Sequence, residues 1–252
     1  MSLHRTIINV VLGLLFIGIG AGADAQSTDS PEMPAKERGP TVRALLLVPG
    51  SPNIELVTIA GEKVSPPFSI GTSGLSGNIF PGTRTFNLAI KVPSAESGFK
   101  KVALVVLPET GSNFLLLLEP QEDKSFIPHV IPDSLQGFGA DSTLFFNACS
   151  SEIGAVLGTQ KTLIRPRRVE IVSAPPVKDD VPYYQTELYH RDNEKFKLFA
   201  SSRWLHRNDG RNYVFIYQIK NTGRFGYQTF SETFSGATAG LDTSRIQSHP
   251  AP

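Results

Sequence analysis

Between Thr41 and Ile219, apolar side chains recur at every second residue or in short unbroken runs closed by Gly, Pro, Asn or Asp, and no stretch of eleven holds them at helical spacing without interruption. Helices shorter than about 12 residues are marginal on their own. Period two, by contrast, is the alternation of side chains across a strand. The chain is therefore expected to be all-β. Phe86, Leu88, Ile90 and Val92 fall on one face and Asn87 and Lys91 on the other, as in a strand with one buried side. Val102, Leu104 and Val106 repeat that pattern. Ala44–Val48 and Phe114–Leu118 are apolar without a break, as central strands covered on both faces are. Asn113 before the second run and Glu119-Pro120 after it leave too little room for a helix.

The pattern resumes after Pro128, with strands expected over 144–149, 152–157, 160–164, 169–172, 183–190, 195–206 and 213–219. Asn208-Asp209-Gly210 separates the last two, and an Asp-Gly step supplies the positive dihedrals of a tight hairpin turn. Gly158-Thr159 is expected to close a second hairpin. Charged residues, Pro120, Pro128, Pro132, Gly137 and Gly139 gather between Gln121 and Asp141, which places a domain boundary there. The expected fold is two β-sandwich-like domains, Ig-like or open-barrel, over 41–122 and 141–228, behind a signal peptide. The halves share no convincing sequence repeat. Ala174–Pro182 reads as a long loop within the second half. Residues 26–40 and 229–252 are too poor in apolar side chains to offset the entropy of ordering, and read as a flexible lead-in and a disordered tail.

The first 25 residues follow the three-part layout of an export leader. His4 and Arg5 give a basic start, Ile7–Ile19 an apolar run, and Ala23-Asp24-Ala25 a small-residue site with cleavage expected after Ala25. An uncleaved membrane anchor is the alternative, diluted by Asn9 and glycines. Only then would the chain meet a membrane. The chain has one cysteine, Cys149, which cannot close an intrachain bridge; set in the apolar run Leu144–Cys149, it reads as a small buried hydrophobe, with an intermolecular disulfide or a reactive thiol as alternatives. Roughly 227 residues follow the leader, enough to bury a core without staples. A net charge of +1, with both signs interspersed, offers no field to gather a phosphate backbone, so nucleic acid is not expected as a partner.

Candidate chemistry is sparse, and no catalytic residue, cofactor or metal is assigned. Gly71-Thr72-Ser73-Gly74-Leu75-Ser76-Gly77 lacks the Lys-Ser or Lys-Thr and the following helix of a phosphate loop, and reads as a plain loop or a ligand-contacting one. Ser150-Ser151-Glu152 has no Gly-x-Ser-x-Gly frame. His129, His190 and His206 would need Asp192 or Asp209 to hold a metal, and neighbouring arginines oppose a cation. Arg165-Pro166-Arg167-Arg168 reads as a solvated turn. Trp204, flanked by Arg203 and His206, is expected opposite Tyr213, Phe215 and Tyr217 if the Asp-Gly turn pairs their strands. Facing inward these aromatics are core. Facing outward the six residues form a platform for a sugar ring or an apolar peptide, which makes them the candidate ligand or partner surface.

The second half resembles a group of uncharacterised exported bacterial all-β proteins. Phe145-Phe146-Asn147, Glu152–Lys161 and Arg203-Trp204-Leu205-His206 carry the resemblance, over about 75 residues. Arg165-Pro166-Arg167-Arg168 departs from it where the group has a Pro-Gly turn. The resemblance implies a β fold and a location in the periplasm or outside the cell, and no activity. The resulting expectation is a non-enzymatic protein that binds or scaffolds in the cell envelope, with another envelope protein or a glycan as partner. A secreted hydrolase with loop-borne catalytic residues and a membrane-tethered periplasmic domain are the alternatives.

Overall fold

A computed structural model describes residues 39–47, 51–133, 137–177, 181–219 and 222–234. The leader, nearly all of the lead-in, and residues 235–252 of the tail lie outside the described residues. Every regular element described is a strand. The first half contains β1 (Thr41–Leu46), β2 (Ile54–Ala60), β3 (Lys63–Val64), β4 (Phe68–Ile70), β5 (Thr85–Lys91), β6 (Phe99–Val106), β7 (Asn113–Pro120) and β8 (Phe126–Pro132). The second contains β9 (Ser142–Asn147), β10 (Ile153–Leu157), β11 (Gln160–Ile164), β12 (Val169–Ser173), β13 (Tyr183–Asp192), β14 (Lys195–Leu205), β15 (Gly210–Gln218) and β16 (Phe225–Thr233).

They form four sheets. The orders are β3-β2-β5-β6 with β4 beside β2, then β1-β7-β8, β12-β9-β15-β16 and β11-β10-β13-β14. Three cores separate these layers. Val42, Ala44, Leu46, Phe114, Leu116 and Leu118 join Phe86, Leu88 and Val105 in the first sandwich. Phe145, Ile153, Leu157, Leu188 and Ile216 fill the second. The alternate residues of the same strands, Leu45, Leu47, Leu115 and Leu117, pack on Leu144, Phe146, Tyr213 and Phe215 in a third core between the sandwiches. The two sandwiches thereby form one compact unit. This explains the unbroken apolar runs: a strand buried on both faces needs apolar side chains at odd and even positions alike.

The halves repeat one topology, with every strand but β4 and β12 matched by the strand eight positions along. Each has a parallel pair, β1–β7 or β9–β15, continued by an antiparallel hairpin, β7–β8 or β15–β16. Each opposes it with the order β3-β2-β5-β6 or β11-β10-β13-β14. β12 runs beside β9 in the second half; in the first, the glycine-rich stretch does so irregularly beside β1, with Leu46 N donating to Gly71 O, Ser76 N to Ala44 O, and Val42 bridged to Ile79. That stretch is thus an edge of a sheet. Even the bulges correspond, since the pairing skips one residue of β6 after Leu88 and one of β14 after Leu188.

The bulges correct the expected faces. Skipping Val102 inverts the alternation beyond it, so Val105 is buried while Leu104 and Val106 are exposed. The Gly158-Thr159 hairpin forms, with Gly158 at φ +57°. The Asn208-Asp209-Gly210 hairpin does not: β14 and β15 belong to different sheets, and the connection crosses the sandwich. Gly210 serves close approach instead. A Cβ there would lie 2.2 Å from the Glu232 carbonyl oxygen, on the paired strand β16. Gly210→Ala is expected to cost about 1–3 kcal/mol, read as a lower urea midpoint at unchanged m. Two boundaries also move. β8 occupies part of the segment expected as a linker, its prolines tolerated because it is a sheet edge. β16 runs to Thr233, so the tail expected from 229 begins in a strand, held there by the β15 ladder and by Phe230 in the third core.

Candidate functional site

The six residues expected to share a surface are dispersed. Tyr213, Phe215 and Tyr217 point from β15 into the core between the sandwiches and are buried. Trp204 points from β14 into the second sandwich, stacked on Phe145 with ring centroids 6.3 Å apart and edge-on to Tyr184 at 6.4 Å. Its Nε1 donates to Ser202 Oγ at 2.7 Å. Arg203 lies over the Tyr183 ring at 5.6 Å, and His206 Nε2 stands 3.6 Å from Asp141 Oδ1. No platform results, because the strand crossing at 206–209 keeps Trp204 and the β15 aromatics in different layers. The histidines are equally scattered. Antiparallel pairing puts His190, opposite Lys197, and His206, beyond Leu205, at opposite ends of the β13–β14 hairpin. His129 lies on β8, in the first sandwich.

Two polar clusters bracket the core between the sandwiches. At one end Arg211, almost fully buried, sets its Nη2 2.9 Å from Asp133 Oδ1 and 2.7 Å from Glu232 Oε2. Its Nη1 donates to Phe138 O at 3.0 Å, and the guanidinium lies 4.6 Å from the Phe138 ring centroid. Arg43 from β1 pairs with Asp133 and, at 2.5 Å, with Glu232. Tyr213 Oη donates to Glu232 Oε2 at 2.9 Å. Burial alone would raise the Glu232 carboxyl, but the bonds from Arg43, Arg211 and Tyr213 prevail and hold it at about 2. Burial first, and then the Asp133 charge, push the Tyr213 phenol up. Every member of the cluster serves another member, which is the arrangement of a structural bolt.

At the other end Glu119 Oε2 lies 3.0 Å from His129 Nε2 and 2.8 Å from Arg167 Nη1. The His129 hydrogen bond, opposed by burial and aided by Arg167, holds the Glu119 carboxyl at about 2. Arg167 has φ +57°, a left-handed conformation that usually selects glycine. Here an arginine accepts the strained position, and its side chain reaches across the junction to Glu119. Beside this cluster is a notch of about 340 Å³ that includes Cys149, Ser150 and Tyr217. Burial pushes the Cys149 thiol up to about 12, so it stays protonated near neutrality. A carboxyl at about 2 is likewise a weak base there. Neither Cys149 as a nucleophile nor Glu119 as a base is activated at neutral pH.

Linkage gives the pH dependence of both clusters. Glu119 and Glu232 titrate near 2 in the folded chain and near their ordinary 4.5 when unfolded. Their stabilisation is complete above about pH 4.5 and disappears as pH falls through about 2, because in that window the unfolded chain binds more protons. Thermal melts are expected to show a steep loss of Tm over this range. Glu119→Gln with Glu232→Gln is expected to flatten it.

A larger concave surface is on the outer face of β11-β10-β13-β14. There β10 presents only Gly154 and Val156, between the larger outward side chains of its neighbours: Leu163 and Lys161 on β11, Tyr189 and Glu187 on β13. A trough of about 560 Å³ follows β10 between those walls. The Phe196 ring lies over Gly154, 3.4 Å from where a Cβ would stand. Leu163, Phe196 and Leu198 are 43%, 46% and 53% exposed. The bulge after Leu188 helps place Leu198 here, opposite Tyr189, instead of in the core. Tyr189 Oη donates to Glu187 Oε2 at 2.5 Å, which fixes the phenol at the trough wall. The signal for this site was in the sequence, in the apolar Leu163, Phe196 and Leu198. Their common face emerges only from the sheet order and the bulge. No family model and no curated protein sequence matches this chain.

Proposed function

We propose that this protein is exported and acts without catalysis as a scaffold of the cell envelope, presenting the outer face of β11-β10-β13-β14 to another protein. The observation that carries this reading is the trough lined by exposed Leu163 and Phe196, with exposed Leu198 on the same face, a face that no other sheet among the described residues covers. Such contiguous apolar surface on a folded domain marks an interaction site. A protein fits it better than a glycan does. The trough lining holds two charged side chains, Lys161 and Glu187, too few polar groups to satisfy the hydroxyls of a sugar chain. The basic and apolar leader and the resemblance of the second half to exported β proteins support the location.

Fractionation of the native host tests the reading. The chain is expected in the envelope fraction with residues 1–25 removed, by intact mass. Phe196→Asp with Leu198→Asp is expected to retain its melting temperature and lose co-sedimentation with envelope complexes. Unchanged co-sedimentation of a folded double variant refutes the binding face. Turnover in a hydrolase panel that disappears in Ser150→Ala, Ser151→Ala would refute the non-enzymatic role.

A further inference from the structure

The two walls of the trough are complementary to each other. In the row through Val156, Lys161 stands on β11 and Glu187 on β13. In the next row, Leu163 and Tyr189 flank Gly154. Consider two such faces stacked with a two-fold axis between them, parallel to the strands. That rotation exchanges left and right and preserves height along the strand, so β11 of one copy lies against β13 of the other. Lys161 then meets Glu187 of the second copy, twice, and Leu163 meets Tyr189, twice. A closed, isologous interface requires this reciprocity.

The chain already packs its own halves in this way. The equivalent sheets β1-β7-β8 and β9-β15-β16 meet face to face. β1 reaches β16 through Arg43 and Glu232, and β8 reaches β9 where the His129 and Phe146 rings are 5.2 Å apart. Exchanging each strand for its counterpart eight positions along turns one of these contacts into the other. The central strands β7 and β15 supply Leu115 and Leu117 against Tyr213 and Phe215. An axis along β10 lays β11, β10 and β13 of one copy on β13, β10 and β11 of the other and leaves β14 at the margin, so strands about 4.8 Å apart and about five residues long meet over roughly 250 Å² per partner. That is smaller than a standard specific interface, and it points to a weak, reversible dimer.

We infer that the occupant of the trough is a second copy of this chain, docked face to face about an axis along β10. The inference rests on the reading of this face as the binding surface. Sedimentation equilibrium of the purified exported protein is expected to show a monomer–dimer equilibrium in the micromolar range. Lys161→Glu and Glu187→Lys are each expected to weaken the dimer about tenfold or more, because each places like charges opposite one another twice. The double exchange is expected to restore it, which a folding defect would not do. A chain still monomeric at 100 µM, or a double exchange that fails to rescue, overturns the inference. A photo-crosslinking side chain at Leu163, which the dimer sets against Tyr189 of the second copy, used in the native host, separates it from the broader reading. An adduct between two copies supports it. An adduct to a different envelope protein overturns the dimer and leaves the binding face standing, and the absence of any adduct refutes both.

Discussion

Replacing Arg211 with Met is expected to lower global stability by about 3–5 kcal/mol, the range found when one member of a buried ion pair is removed. Arg211 sits between Asp133 and Glu232, with both carboxylates within 3 Å of one nitrogen and the Phe138 carbonyl on another. Without it, two acids share the single guanidinium of Arg43, and a buried carbonyl loses its donor. The cost is therefore mainly that of charges left uncompensated, so adding Asp133→Asn to Arg211→Met should recover part of it. Urea unfolding at pH 7 measures both. A single transition is expected in each case, because the apolar centre of the same interface still joins the sandwiches. A loss below about 1 kcal/mol would show that Arg43 alone suffices to hold the junction.

The second large effect is expected at Asn147, a fully buried amide at the end of β9. Its Nδ2 donates to Ser151 O at 2.8 Å and to Ile164 O at 3.0 Å, while its Oδ1 accepts from Cys149 N at 2.9 Å. One side chain thus satisfies three backbone groups where the chain leaves β9 and turns toward β10. Asn147→Ala removes all three bonds and leaves the buried Cys149 amide unsatisfied. At about 1 kcal/mol net for each bond and about 1–3 kcal/mol for a buried group left unpaired, the loss is expected to reach about 3 kcal/mol. Cys149→Ala, which keeps those bonds, should cost less. Hydrogen exchange provides a local check, since the Cys149 amide should lose protection in Asn147→Ala before the strand cores do. In Phe145-Phe146-Asn147 the two phenylalanines anchor opposite cores, and the asparagine ties the loop that follows.

Much of the fold was legible because strand formation leaves a local trace. The alternation in 86–92 and the unbroken run of 114–118 follow directly from one-sided and two-sided burial, and the Gly158-Thr159 turn from a positive φ. The site was less legible. Trp204, Tyr213, Phe215 and Tyr217 are conspicuous residues, yet their largest effect is to fill interiors. The exposed apolar face is built from Leu163, Phe196 and Leu198, which in sequence resemble any core residue. β16 escaped notice because two of its inward positions, Gln228 and Glu232, are polar: one donates to Thr72 O and the other completes the ionic bolt.

The sequence alone determined that this chain forms strands, roughly where they run, and which of them are covered twice, since each of these depends on side-chain polarity within a few residues. Only the tertiary structure decided how strands are partnered. Whether an Asp-Gly step folds back as a hairpin or crosses to another sheet, whether a bulge turns Leu104 and Leu198 outward, and whether seven strands of one half recur in the other are outcomes of long-range pairing. Pairing is governed by how whole surfaces fit and exclude water, and no short window of residues carries that information.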